Sequence, residues 1–140
     1  MKNWIQAARL RTLPLSVSGI IVGSFYAMYQ GFFDGAIFTL ALLTTLGLQI
    51  LSNFANDYGD GVKGTDNQDR IGPERAIQSG AISVQQMKNG IIITSILTFL
   101  IAVLLIYISF GKDNFFYTLL FLILGVASIV AALKYTIGNS

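Results

Sequence analysis

Apolar positions fall into four uncharged runs, residues 12–33, 35–56, 89–111 and 114–133, and the charges gather in the segments between them. Each run holds about 20 to 23 residues, the length a helix needs to cross a ~30 Å hydrocarbon core. Isolated runs half that long would suit the core of a soluble domain; four at full length do not. The pattern predicts an all-α protein, a polytopic transmembrane bundle with four spanning helices at about 13–31, 36–57, 88–109 and 115–133. The whole of 1–140 reads as a single transmembrane region, interrupted by one long polar loop over 57–87. The short connection at 110–114 predicts that the third and fourth helices are adjacent and antiparallel. The first run is too long for the h-region of a signal peptide and lacks a small-x-small cleavage site.

Composition strengthens the membrane reading. Only 11% of the 140 residues are charged, against about 25% in soluble proteins, and the mean hydropathy is +0.65. There is no cysteine and no histidine, which excludes disulfides, the usual zinc ligands and the usual general base. The position of the charges sets the topology. Lys2, Arg9 and Arg11 precede the first run, Lys63, Arg70, Arg75 and Lys88 lie in the long loop, and Lys134 follows the fourth run. Lys112 alone falls on the other side. The positive-inside rule therefore puts both termini and the long loop in the cytoplasm.

Within the apolar runs, Gly19 and Gly23 form a small-xxx-small pair, read as helix packing within the bundle. Thr94, Ser95 and Thr98 are read as hydroxyls bonded to their own helix backbone. The second run is different. Thr45, Gln49, Ser52, Asn53, Asn56, Asp57 and Asp60 occupy an arc of roughly 140° at about 100° per residue, provided the helix persists to Asp60. Polar groups aligned down one face of a spanning helix face protein or a watery cavity, not lipid. Helix–helix hydrogen bonding would account for the amides; it does not account for two carboxylates one turn apart at the cytoplasmic end.

The segment from Asp57 to Lys88 carries nine of the sixteen charged residues, and its first half alternates carboxylates with cations. Residues 59–64 match G-x-G-x-x-G, but they follow a spanning helix rather than a strand, so no dinucleotide site is inferred. The segment 66–69 lacks the ligand alternation and terminal Glu of an EF-hand. Mg²⁺ keeps several waters and takes one or two carboxylates plus substrate phosphate oxygens. Asp57 and Asp60 suit that donor set, and Lys63, Arg70 and Arg75 suit the remaining phosphate charge. A lipid diphosphate would then place its headgroup in this loop and its tail between the helices. A solvated loop with surface ion pairs would also explain the charges, though not their alignment with the stripe above. Two other classes stay open at this point: a small ion-binding or transport membrane protein, and a structural membrane subunit.

Residues 49–66, followed by Asp69-Arg70-Ile71-Gly72-Pro73-Glu74-Arg75 and Gln78-Ser79-Gly80, resemble the intramembrane aromatic prenyltransferase superfamily, in the branch that acts on naphthoates. Residues 11–14 and 134–138 resemble it too, so the likeness covers nearly the whole chain. One departure is informative. The superfamily usually has a third Asp four residues after the second, where this chain has Gly64, with Asp66 two further on. That variant resembles the naphthoate branch rather than the 4-hydroxybenzoate branch, which remains the alternative acceptor class.

The resemblance implies Mg²⁺-dependent transfer of a polyprenyl group from polyprenyl diphosphate to 1,4-dihydroxy-2-naphthoate, with loss of CO₂, giving demethylmenaquinone. It implies Asp57 and Asp60 as catalytic metal ligands with Asn53 and Asn56 in support. Gln49, Lys63, Asp66, Asp69, Arg70 and Arg75 become diphosphate- or substrate-binding residues, and the ring of Tyr58 or Tyr135 faces the allylic cation. It further implies a bacterial inner membrane setting, apolar walls that exclude water, and a nine-helix fold about twice this length with a second Asp-rich motif. On that expectation the chain is the N-terminal part of a longer enzyme, its C-terminal half absent, and inactive by itself.

Overall fold

The computed structural model describes residues 2–63, 75–111 and 114–137, with residues 63, 132, 133 and 135–137 described by their backbone alone. It is all-helical: α1 (Lys2–Ala8), a 3-10 turn (Leu10–Thr12), α2 (Leu13–Tyr29), α3 (Gly35–Lys63), α4 (Val84–Phe110) and α5 (Phe115–Ile137). The stretches Lys2–Tyr29, Gly35–Val62 and Val84–Phe110 are each long and apolar enough to cross a membrane, and Phe115–Ala131 is apolar and shorter. Three such stretches, with the shorter apolar helix beside them, make a multi-pass membrane architecture. Helices satisfy their own backbone groups, as hydrocarbon requires.

Local chemistry sets the ends. Pro14 lies in the first turn of α2, where its missing N–H costs nothing. That helix stops in a Schellman turn: Gly31 at φ 80°, its N–H on the Met28 carbonyl and the Phe32 N–H on the Ala27 carbonyl. Asp34 then caps α3, its Oδ1 accepting from Ala36 N–H at 2.8 Å and Ile37 N–H at 3.0 Å. At α4, Ser83 and Gln86 form a reciprocal capping box.

Packing is centred on α3, which meets α1, α2, α4 and α5. It packs close to α4 at Gly47, where any Cβ would run into the Thr98 side chain. Phe110 stacks on Tyr117 and Phe121, at ring separations of 5.8 and 4.9 Å, and holds the end of α4 against the start of α5. A buried apolar cluster sits at the charged end of the bundle. It contains Ala7, Ala8, Leu51, Phe54, Ala76, Ile82, Met87 and Ile91.

Three expectations are corrected, and one helix is added. The polar loop does not begin at 57, because α3 continues to Lys63, and it does not end at 87, because α4 begins at Val84. A 29-residue helix is about 44 Å long, so it outruns a ~30 Å core and carries charge beyond it. A short helix, α1, stands before the helix expected at 13–31 and belongs to the first apolar stretch. Gly19 and Gly23 have no atom near the position a Cβ would take, so among the described residues they pack against nothing. Ser95 Oγ is buried without a hydrogen-bond partner, not bonded to its own helix.

Candidate functional site

The site grows from the last turns of α3. Gln49, Asn53, Asn56, Asp57 and Asp60 follow one another at helical spacing, and the helix does persist past Asp60. Asp57 is 2% exposed. Its Oδ2 accepts from the Ala76 N–H at 3.2 Å, while its Oδ1 is buried with no hydrogen-bond partner. Asp60, one turn further, forms an ion pair with Arg75. The Arg75 Nη1 also donates to the Asn56 carbonyl at 2.8 Å. Both carboxylates thus turn to the same short segment, Asp60 to Arg75 and Asp57 to the amide beside it.

That segment is itself a tight turn. Ser79 N–H donates to the Arg75 carbonyl, Gly80 N–H to that of Ile77 and Ile82 N–H to that of Ala76. It fits under α3 because Gly61 has no side chain: a Cβ there would stand 2.7 Å from Ile77 Cγ2. Burial holds the Arg75 guanidinium below its ordinary range, the like charge of Arg9 pushes the same way, and Asp57 opposes both. Arginine starts so high that it stays charged throughout.

α1 closes the arrangement from the other side. Trp4 meets Phe54 edge to face at 5.4 Å, and a Cβ on Gly90 would stand 2.6 Å from the Trp4 ring. Asn3 Nδ2 donates to the Ala81 carbonyl at 3.1 Å. Asn53, 4% exposed, donates from Nδ2 to the Ala8 carbonyl at 2.8 Å and to Thr12 Oγ1 at 3.3 Å. Gln49 Nε2 approaches Asn53 Oδ1 at 3.4 Å. The next residue after Ala8, Arg9, has φ 51° and ψ 61°, a left-handed conformation that costs a side-chain-bearing residue about 1–2 kcal/mol.

The expected site residues thus divide. Asp57, Asp60, Asn56 and Arg75 come together, and Gln49 and Asn53 lie on the same helix above them. Tyr58 packs against the apolar cluster. Lys63 ends α3 and Tyr135 lies within α5. Asp66, Asp69 and Arg70 lie outside the described residues. Sequence reading missed Arg9 and Thr12 as site neighbours. Arg9 entered only as a topological charge, and the one available signal was its place just before the 11–14 run.

Among the described residues no three acidic side chains converge into a metal cage. Two carboxylates and an orphaned buried oxygen on Asp57 fit a cation of low protein coordination, completed by water or phosphate oxygens.

The sequence pattern of the UbiA prenyltransferase family matches residues 16–139. The chain is 49% identical over 136 residues to 1,4-dihydroxy-2-naphthoate octaprenyltransferase of Escherichia coli (strain K12), covering 97% of this chain and 44% of that protein. It is 47% identical over 141 residues to the protein of the same name from Haemophilus influenzae, covering 99% and 45%. A namesake from Mycobacterium tuberculosis is 39% identical over 80 residues, 55% of this chain and 26% of that protein. The chain therefore spans less than half the length of these relatives. No solved structure gives a significant match.

Proposed function

This chain belongs to the UbiA prenyltransferase family, and from that premise we propose that it forms the N-terminal part of an enzyme that prenylates 1,4-dihydroxy-2-naphthoate. The prenyl donor is a polyprenyl diphosphate. Its allylic C–O bond breaks with the electron pair leaving on diphosphate, and the electron-rich ring forms the new C–C bond. The ring carboxylate departs as CO₂ and its bonding pair returns to the ring, giving the hydroquinone form of demethylmenaquinone, with no change in the ring's oxidation state. The observation that carries the reading is the convergence of Asp57 and Asp60 on the Arg75–Ala76 turn, with one Asp57 oxygen buried and unmatched.

Asp57 and Asp60 would hold Mg²⁺, with the Asn56 side chain beside them. The ion supplies positive charge to the departing diphosphate when bound. Arg75 binds diphosphate oxygens as well, in bidentate fashion, and Lys63 and Arg70 extend the cationic side of the site. Asp66 and Asp69 are further candidates for substrate binding. The loop and both ends of this region lie in the cytoplasm, and the membrane is the bacterial inner membrane. The remaining part of the protein completes the site, so residues 1–140 alone do not turn over.

The test uses membranes carrying the whole protein, supplied with Mg²⁺, a polyprenyl diphosphate and either 1,4-dihydroxy-2-naphthoate or 4-hydroxybenzoate. Prenylation of the naphthoate with release of CO₂ is expected. Prenylation of 4-hydroxybenzoate in its place would reassign the acceptor, and no transfer to either would remove the reading.

A further inference from the structure

Asn53 stands one turn before Asp57 on α3, yet its amide is turned to the N-terminal elbow. Nδ2 donates at 2.8 Å to the Ala8 carbonyl, the last of α1, and at 3.3 Å to Thr12 Oγ1. Thr12 in turn donates from both its N–H and its hydroxyl to the Arg9 carbonyl, each at 2.9 Å. The elbow between α1 and α2 is thereby stapled to the metal-bearing helix at Ala8 and Thr12, and Arg9 is the residue held left-handed between those points. Among the described residues only Arg9 combines a side chain with a positive φ. Its guanidinium makes no hydrogen bond or ion pair with any described residue, yet its charge acts on Arg75. A half-buried cation with no partner among the described residues, kept in a strained conformation by two neighbours, is placed for a ligand rather than for the fold.

We propose that Arg9 binds an anionic oxygen group of a substrate, and that Asn53 is a positioning residue that sets Arg9 through the elbow rather than a metal ligand. The inference rests on the prenyltransferase reading for the identity of the anion, which is either the diphosphate of the donor or the carboxylate of the acceptor. Both present the oxygens a guanidinium grips with two parallel N–H donors.

The test compares Arg9→Gly, Asn53→Asp and the double variant in the whole protein. Glycine suits a positive φ, so Arg9→Gly removes the guanidinium without breaking the elbow. Asn53→Asp keeps an oxygen for a metal but cannot donate to Ala8. Arg9→Gly should raise one substrate KM by about tenfold or more, the size of a lost charge-assisted contact. Which KM moves identifies the source of the anion. Asn53→Asp should raise the same KM, leave the Mg²⁺ concentration for half-maximal rate unchanged, and speed hydrogen exchange in residues 2–12. The double variant should be no worse than the worse single one.

Unchanged KM values for both substrates in Arg9→Gly would overturn the role of Arg9. A shifted Mg²⁺ requirement in Asn53→Asp with exchange at 2–12 intact would make Asn53 a metal ligand and overturn its positioning role. If the unsubstituted protein prenylates neither acceptor, the functional reading has failed while the inference can still be judged. Exchange at 2–12 reads the staple without any turnover, and inorganic pyrophosphate binding with Mg²⁺, by calorimetry, reads Arg9. Equal pyrophosphate affinity in Arg9→Gly would in that case refute it.

Discussion

The charged end and the apolar length of this bundle are held together by different means. At the charged end α1, the end of α3, the 75–82 turn and the start of α4 share one buried cluster. Specific hydrogen bonds from Asn3, Asn53 and Arg75 cross it. Along the embedded length, α2 buries no residue, and large side chains such as Val22, Phe25 and Leu100 are exposed. The contrast follows from the solvent. Where water reaches the chain, apolar burial drives association; within hydrocarbon it does not, and helices hold by shape and by small residues such as Gly47. The site lies at the end where burial and hydrogen bonding both act, so its geometry is fixed by the tighter half of the molecule.

Substitutions should separate the two halves. The largest loss of stability is expected at Leu51, which is fully buried in that cluster. Leu51→Ala should cost about 2–5 kcal/mol, read as a lower midpoint of thermal unfolding in detergent. Gly90→Leu should come next, at roughly 1–3 kcal/mol, because the added side chain meets the Trp4 ring and lifts α1. Faster hydrogen exchange in residues 2–8 would register it. Ser83→Ala removes one half of the capping box and should cost about 1 kcal/mol, seen as local exchange at the first turn of α4. Smallest of all is Gly19→Ala, which meets open space and should leave exchange across 2–12 and 75–91 unchanged.

The same contrast explains what the sequence disclosed. The polar face of α3 was legible because a 3.6-residue period survives whatever surrounds it, and residues 49–60 keep that period to the end of the helix. Where the bilayer stops was not legible in the same way. Charge at Asp57 was read as the start of a loop, whereas α3 leaves the hydrocarbon core and remains helical for two further turns. α1 escaped notice because seven residues with two outward apolar side chains, Ile5 and Leu10, at or beside it carry no clear period. The Gly19–Gly23 spacing pointed to a packed face that the described residues do not supply, since such a motif marks a capacity for close approach and not its partner. Arg9 was hidden for a further reason. A left-handed φ at a non-glycine residue is imposed by tertiary contacts, here from Asn53 and Thr12, and leaves no trace in residue type.

The acids of α3 carry the central claim, and Asp57 is the sharper probe because it is the buried one. In the whole protein, inserted in membranes and supplied with polyprenyl diphosphate, 1,4-dihydroxy-2-naphthoate and Mg²⁺, Asp57→Asn keeps the shape of the side chain and removes its charge. Turnover should fall by about 10²–10³ or more, with the amount of inserted protein unchanged. Prenyl transfer at the unsubstituted rate would contradict the account, because a carboxylate at that position would then have no part in the chemistry.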